Sequence, residues 1–94
     1  MAFADKYRDN GGVCLTYFGD GAANQGQVYE AFNMAELWKL PAVFIIENNK
    51  YAMGTSVERS SVVNDCLAQR GGAFCIDWAQ ANGEDLYEVR AVTQ

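Results

Sequence analysis

Two short polar segments, each directly after an apolar run, carry the residues of this chain best suited to bind a ligand. Gly19-Asp20-Gly21 follows the first long apolar run, and Asn48-Asn49 follows the second. Asp20 offers a carboxylate oxygen and Asn49 an amide oxygen, and both suit a hard cation such as Mg²⁺ that also holds a phosphate. Together the two segments predict a site for a metal ion and a diphosphate group.

The elements around these segments predict that both lie at one edge of a parallel sheet. Residues 13–18 and 42–46 are short, nearly continuous apolar runs of the kind found in strands covered on both faces. A helical stripe of apolar residues, from position 24 or 25 to position 39, lies between them. Strand, helix and strand form one βαβ unit, in which the carboxyl ends of both strands face the same edge.

This geometry predicts how the metal shell is filled. Asp20 and Asn49 leave neighbouring strand ends and are expected to reach one cation, joined by a backbone carbonyl from the loop that begins Lys50-Tyr51. Gly21 lets the backbone approach the phosphate, and Ala22-Ala23 leave room for it. The amino end of the following helix adds a favourable dipole.

Turn formation is the alternative interpretation of each segment. Asp-Gly and Asn-Asn are common turn elements, so neither segment alone predicts a ligand site. Their positions after two consecutive strands, separated by one helix, favour the ligand site over a pair of unrelated turns.

The remaining elements are expected to extend the sheet into a single α/β domain spanning residues 1–94. The fold class we predict is a partial doubly wound parallel sheet of about three parallel strands with flanking helices. The further predicted elements are a first helix at 2–9, a polar loop at 50–61, a modest helix at 62–69, a third strand at 73–77 and a last helix at 84–92.

Composition excludes several classes of function. The formal net charge of −5 argues against a nucleic-acid partner, which needs a basic patch. No apolar stretch is long enough for a membrane span and no leader pattern begins the chain, so a cytoplasmic protein is expected. Histidine is absent, which removes the commonest general acid–base group, and the three cysteines form neither an even set nor a Cys-x-x-Cys pair.

The residues surrounding the two segments resemble a known enzyme family. The carrying stretches are Tyr17 to Gln27 (YFGDGAANQGQ), Asn33 to Pro41 (NMAELWKLP) and Glu47 to Ser60 (ENNKYAMGTSVERS). They resemble the alpha subunit of the pyruvate dehydrogenase decarboxylating component, a thiamine-diphosphate-dependent 2-oxo-acid dehydrogenase. The general motif of such enzymes is Gly-Asp-Gly, a spacer of this size, and Asn-Asn. The match is close over residues 4–61 and looser beyond them.

The resemblance implies a role for each matching residue. Asp20, Asn49 and the backbone carbonyl of Tyr51 would bind Mg²⁺, and Asp20, Gly21, Ala22 and Asn49 would bind thiamine diphosphate. A beta subunit would hold the rest of the cofactor, and a histidine-containing loop would act on the substrate. Since the 94 residues contain no histidine, we expect a truncated thiamine-diphosphate-binding domain that does not turn over alone.

Three functional hypotheses stay open at this point. The first is a fragment of a pyruvate dehydrogenase alpha subunit, which serves oxidative decarboxylation of pyruvate. An acetoin dehydrogenase alpha subunit has a similar motif, whereas a branched-chain 2-oxo-acid enzyme would carry glutamate in place of Asp20. The third is a catalytically inactive binding or assembly module that keeps the fold and self-associates through exposed apolar faces.

Overall fold

A computed structural model describes all 94 residues of the chain. One strand–helix–strand unit is followed by a small hairpin, and the last third of the chain is largely irregular. The elements are α1 (Ala2–Arg8), β1 (Cys14–Gly19), a short 3₁₀ turn (Ala22–Asn24), α2 (Gly26–Leu37), β2 (Ala42–Glu47), β3 (Tyr51–Ala52), β4 (Thr55–Ser56), α3 (Val57–Ser60), a longer 3₁₀ segment (Leu67–Phe74) and α4 (Leu86–Thr93).

β1 and β2 form a parallel pair, as the sequence predicts. The register runs from Cys14 opposite Ala42 to Gly19 opposite Glu47, so the two strands end side by side. α2 crosses between them and ends at Leu37. Lys39, two residues before Pro41, adopts a left-handed conformation. The N–H of Leu40 then donates to the carbonyl of Ala35 at 2.8 Å, which closes the last turn.

The predicted third strand at 73–77 is wrong, so the sheet has two parallel strands rather than about three. Cys75 has a φ of 61°, in the left-handed region, which an extended strand does not allow. Its N–H donates to the carbonyl of Gly72, and the N–H of Ile76 donates to that of Gly71. These donors are therefore committed to closing the longer 3₁₀ segment and are not free for a sheet.

Other expectations hold only in part. The modest helix predicted at 62–69 is wrong over its first five residues, because regular structure begins only at Leu67. The loop predicted at 50–61 contains the antiparallel β3–β4 hairpin and α3. The last helix, predicted at 84–92, begins at Leu86 because Asp85 caps it from outside.

The core lies on one face of the two-stranded sheet. Phe32 of α2 packs edge-on against Phe44 of β2, with ring centroids 4.7 Å apart. Phe74 of the longer 3₁₀ segment also packs against Phe32, at a centroid distance of 5.9 Å. The opposite face is open, with Leu15 and Tyr17 each more than half exposed. The prediction that both faces of the strands are covered is therefore wrong for this chain. No helix has the length and apolar character needed to cross a membrane.

Candidate functional site

Asp20 occupies the turn that leaves β1 and is the most buried charged residue of the chain. It is 2% exposed, and its Oδ2 atom is buried without any hydrogen-bond partner. A buried carboxylate is costly unless a cation or several donors compensate it. An unpaired oxygen on so buried a group therefore indicates a position built to meet a positive charge.

Asn49 leaves the neighbouring strand and brings its amide to the same point. The amide oxygen position lies 3.0 Å from Oδ1 of Asp20 and 2.8 Å from the backbone carbonyl oxygen of Tyr51. The amide oxygen also accepts from the N–H of Tyr51 at 3.3 Å when Asn49 points its oxygen toward Asp20. Turning the amide over would instead let its nitrogen donate to Asp20 and to the Tyr51 carbonyl, at the cost of the contact with the Tyr51 N–H.

The two asparagines of the pair have separate tasks. Oδ1 of Asn48 accepts from the N–H of Lys50 at 3.2 Å, which shapes a tight turn in which Lys50 has a φ of 74°. That turn sends the chain into the hairpin and places the Tyr51 carbonyl beside Asn49. Asn48 therefore holds the loop, while Asn49 faces Asp20.

The β3–β4 hairpin covers the Asp20 turn from one side. Its two-residue tip, Met53 and Gly54, has φ values of 50° and 95°, as a tight hairpin turn with the primed geometry requires. Ala52 lies directly against Gly21, where a β-carbon on that glycine would overlap the Ala52 methyl group. Ala22 begins the short 3₁₀ turn and is partly buried, and α2 starts four residues later at Gly26.

Arg70 holds the far side of this turn. Its Nη1 donates to the carbonyl of Ala23 at 2.9 Å, and its Nη2 donates to Oγ of Ser61. Nδ2 of Asn24 adds a bond to the carbonyl of Ser60 at 3.3 Å. This role of Arg70 has no signal in the sequence, because its partners are remote in the chain and a backbone carbonyl leaves no pattern of residue types.

The structure thus brings Asp20, Asn49 and the Tyr51 carbonyl together, with Gly21 and Ala22 on the adjoining turn. No cluster of three or more His, Cys, Asp or Glu side chains is found. The donors at this point are one carboxylate, one amide and one backbone carbonyl, an all-oxygen set that suits Mg²⁺ or Ca²⁺ rather than a soft metal.

Parallel strands with oxygen donors at their carboxyl edge define a mixed α/β protein with a strand-end site. The model of the family described as "Dehydrogenase E1 component" matches residues 1–94. The chain therefore belongs to the dehydrogenase E1 component family, and the resemblance found in the sequence is confirmed.

Three similar proteins, each from a different organism, are named as alpha subunits of pyruvate dehydrogenase. The chain is 60% identical over 91 residues to the pyruvate dehydrogenase E1 component subunit alpha of Rhizobium meliloti (strain 1021), covering 97% of this chain and 26% of that protein. It is 58% identical over 90 residues to the same-named protein of Zymomonas mobilis, covering 96% and 25%. A testis-specific, mitochondrial form from Rattus norvegicus is 53% identical over 94 residues, covering 100% and 23%. The chain thus spans about a quarter of the length of these relatives.

Proposed function

We propose that this chain forms the metal–diphosphate part of a thiamine-diphosphate site in a pyruvate dehydrogenase alpha subunit. The observation that carries the proposal is the buried Asp20 carboxylate, which is unpaired at Oδ2 and has its Oδ1 3.0 Å from the Asn49 amide. The same amide lies 2.8 Å from the carbonyl oxygen of Tyr51. The names of the relatives favour pyruvate over acetoin as the substrate of the whole enzyme.

The donor set fits Mg²⁺. Octahedral Mg²⁺ with bonds of about 2.0–2.1 Å places neighbouring ligand oxygens about 3 Å apart. The separations at Asn49 are 3.0 Å to Asp20 and 2.8 Å to Tyr51. Without a cation these short separations favour the Asn49 orientation whose nitrogen donates to Asp20 and to the Tyr51 carbonyl. With Mg²⁺ bound, the amide would turn over and present its oxygen to the ion. Mg²⁺ then has positions left for phosphate oxygens and water.

The turn after Asp20 offers the complementary site for a diphosphate. Gly21 and Ala22 present backbone with little side chain, and α2 directs its amino end toward the same edge of the sheet. α2 is 12 residues long, so its dipole favours an anion there. Asp20, Gly21, Ala22 and Asn49 are the residues we propose for the cofactor.

Each residue of the chain has a limited task in this proposal. Thiamine diphosphate supplies the electron sink for decarboxylation of a 2-oxo acid, which is chemistry of the cofactor itself. Asp20, Asn49 and Tyr51 anchor the metal, while Arg70 keeps the turn at Ala23 in place. Substrate contacts and the rest of the cofactor pocket are assigned to the beta subunit and to parts of the alpha subunit that these residues do not include.

Calorimetric titration of thiamine diphosphate into the chain, with and without Mg²⁺, tests this function. We expect Mg²⁺-dependent binding that Asp20→Ala abolishes. Asp77→Ala is the matched control, because it removes one exposed carboxylate from the tail, residues 75–94. Equal binding by the wild-type and Asp20→Ala chains, or no binding by the wild-type chain, contradicts the proposal.

The open sheet face favours a second role, in assembly. Leu15 and Tyr17 of β1 and Val43 of β2 are exposed side by side, and both outer strand edges are unpaired. Such surfaces bind other protein, so we propose that this face is covered in the assembled enzyme and drives self-association of the isolated chain.

Light scattering coupled to size-exclusion chromatography tests the assembly role. The wild-type chain is expected to elute as an oligomer, and Tyr17→Lys, which places a charge in the centre of the face, is expected to shift it toward monomer. Tyr87→Lys on α4, where the side chain is also exposed, is the control. A wild-type chain that stays monomeric at high concentration contradicts this role.

A further inference from the structure

The second glycine of the Gly-Asp-Gly segment does not serve backbone conformation. Gly21 has a φ of −65° and a ψ of −44°, which every L-amino acid adopts readily. Gly54 at the hairpin tip is different, because its φ of 95° favours glycine. The reason for glycine at position 21 must therefore be space.

The space beside Gly21 is taken by the hairpin. A β-carbon on Gly21 would lie well inside van der Waals contact with the β-carbon of Ala52. Apolar carbon atoms pack at about 3.5–4.0 Å, so one of the two segments would have to move. Both are backbone elements, and neither can yield by rotating a flexible side chain.

The Asp20 turn and the hairpin each carry part of the oxygen cluster, which consists of the Asp20 carboxylate, the Asn49 amide and the Tyr51 carbonyl. Asp20 directly precedes Gly21, and its Oδ1 lies 3.0 Å from the Asn49 amide. Tyr51 directly precedes Ala52, and its carbonyl lies 2.8 Å from the Asn49 amide. A displacement between Gly21 and Ala52 therefore separates oxygens that a small, rigid cation needs close together.

We propose that Ala52 is a positioning residue for the cation site: its methyl group, seated against Gly21, sets the distance between the Asp20 turn and the hairpin that presents the Tyr51 carbonyl. One methyl group fits between the two segments, and two do not. The inference rests on the proposed function, and it extends the role of Gly21 beyond an approach for the phosphate.

A double-mutant cycle tests the pair. The variants are Gly21→Ala, Ala52→Gly and the two together, with Gly83→Ala as the control because it adds the same methyl group in open space in the tail. The probe is Mn²⁺, whose free electron paramagnetic resonance signal falls on binding. Titrations are made under conditions where circular dichroism shows each variant folded.

We expect Gly21→Ala to weaken Mn²⁺ binding by at least about tenfold, the scale on which groups supporting metal ligands act. The double variant, which again has one methyl group between the segments, is expected within about threefold of wild type, since the two changes are coupled. The affinity of Ala52→Gly for Mn²⁺ should lie between those of Gly21→Ala and the double variant, because the methyl group that sets the distance is lost but no clash is introduced. Gly83→Ala should bind as wild type does.

The outcomes separate this inference from the proposed function. A wild-type chain that binds no Mn²⁺ overturns the cation site and this inference with it. A wild-type chain that binds, together with a double variant as weak as Gly21→Ala, overturns the inference alone. So does a Gly21→Ala variant that binds like wild type. If Gly21→Ala fails to fold, restored folding in the double variant supports the steric pair, and an unfolded double variant overturns it.

Discussion

The strand-end region, residues 20–71, and the tail, residues 75–94, are built differently although both contain helical segments. Eight of the nine buried residues lie between Asp20 and Gly71, and none lies after Gly71. The strand-end region also holds polar contacts that span tens of residues, such as Arg70 to Ala23. In the tail, every side-chain hydrogen bond joins residues at most six positions apart.

This difference shows where the fold of the chain is determined. Residues 20–71 are held by burial and by remote partners, so that their arrangement is cooperative. The tail is held by local capping and helix formation, and a helix of this length is marginal by itself. Substitutions of the same chemical type should therefore act strongly in the first region and weakly in the second.

The largest expected contrast is between Phe32→Ala and Tyr87→Ala. Phe32 is 4% exposed and packs against rings from β2 and from the longer 3₁₀ segment, whereas Tyr87 is 84% exposed. We expect Phe32→Ala to lower the free energy of unfolding by about 3–5 kcal/mol. Tyr87→Ala should stay within about 0.5 kcal/mol of wild type. Urea unfolding followed by circular dichroism measures both, and equal losses would remove the distinction between the regions.

Arginine offers a second matched pair, with a smaller effect. Arg70→Ala leaves the Ala23 carbonyl and the Ser61 hydroxyl without their donor, and we expect it to cost about 2–3 kcal/mol in the free energy of unfolding. Arg90→Ala, on exposed α4, should cost less than about 0.5 kcal/mol.

Arg70→Lys sharpens this comparison. A single ammonium group cannot reproduce the two-pronged contact of a guanidinium, so the lysine variant should fall between wild type and Arg70→Ala in urea unfolding. If the lysine variant matched wild type, charge alone rather than the bridging contact would hold the turn.

The same division decides what could be predicted from the sequence. β1, α2 and β2 were predicted within two residues at each boundary, because their apolar periodicity is a property of the local chain. The placement of Asp20 and Asn49 followed from strand order alone. The family likewise followed from residues near the two polar segments, and the family match over residues 1–94 confirms it.

The features that were missed depend on backbone geometry and on contacts that the residue types do not reveal. The apolar residues at 73–77 predict a strand, but the left-handed Cys75 and its local hydrogen bonds exclude one. Arg70 had no local signal, since its partners lie at Ala23 and Ser61. The contact of Ala52 with Gly21 depends on the hairpin geometry, which the polar composition of the loop does not reveal.

Asp20→Asn should change stability in opposite directions with and without metal. Without Mg²⁺ the variant replaces an unpaired buried carboxylate by a neutral amide, whose nitrogen can donate to the Asn49 amide oxygen. We expect the free energy of unfolding to rise by about 1–2 kcal/mol. With Mg²⁺ we expect the wild-type chain to gain stability by binding the ion and the variant to gain none.

Thermal unfolding of both chains with and without Mg²⁺, at matched ionic strength, measures whether the order of their unfolding temperatures reverses. Asp77→Asn carries the same change on an exposed tail residue and should alter the unfolding temperature in neither condition. If Asp20→Asn unfolds at a lower temperature than the wild-type chain in the absence of Mg²⁺, other groups of the protein already stabilise the Asp20 carboxylate. Its burial would then not indicate a cation site.

The smallest expected effect is at the start of α4. Oδ1 of Asp85 accepts from the N–H groups of Tyr87 and Glu88 at 2.9 and 3.2 Å, so Asp85→Ala removes a cap worth about 1 kcal/mol to the helix. Because α4 contains no buried residue, that loss should remain local. Amide exchange at Tyr87 and Glu88 should accelerate, while the urea midpoint and the Mg²⁺-dependent heat of cofactor binding stay unchanged. A shift in either global quantity would show that the tail is coupled to the strand-end site.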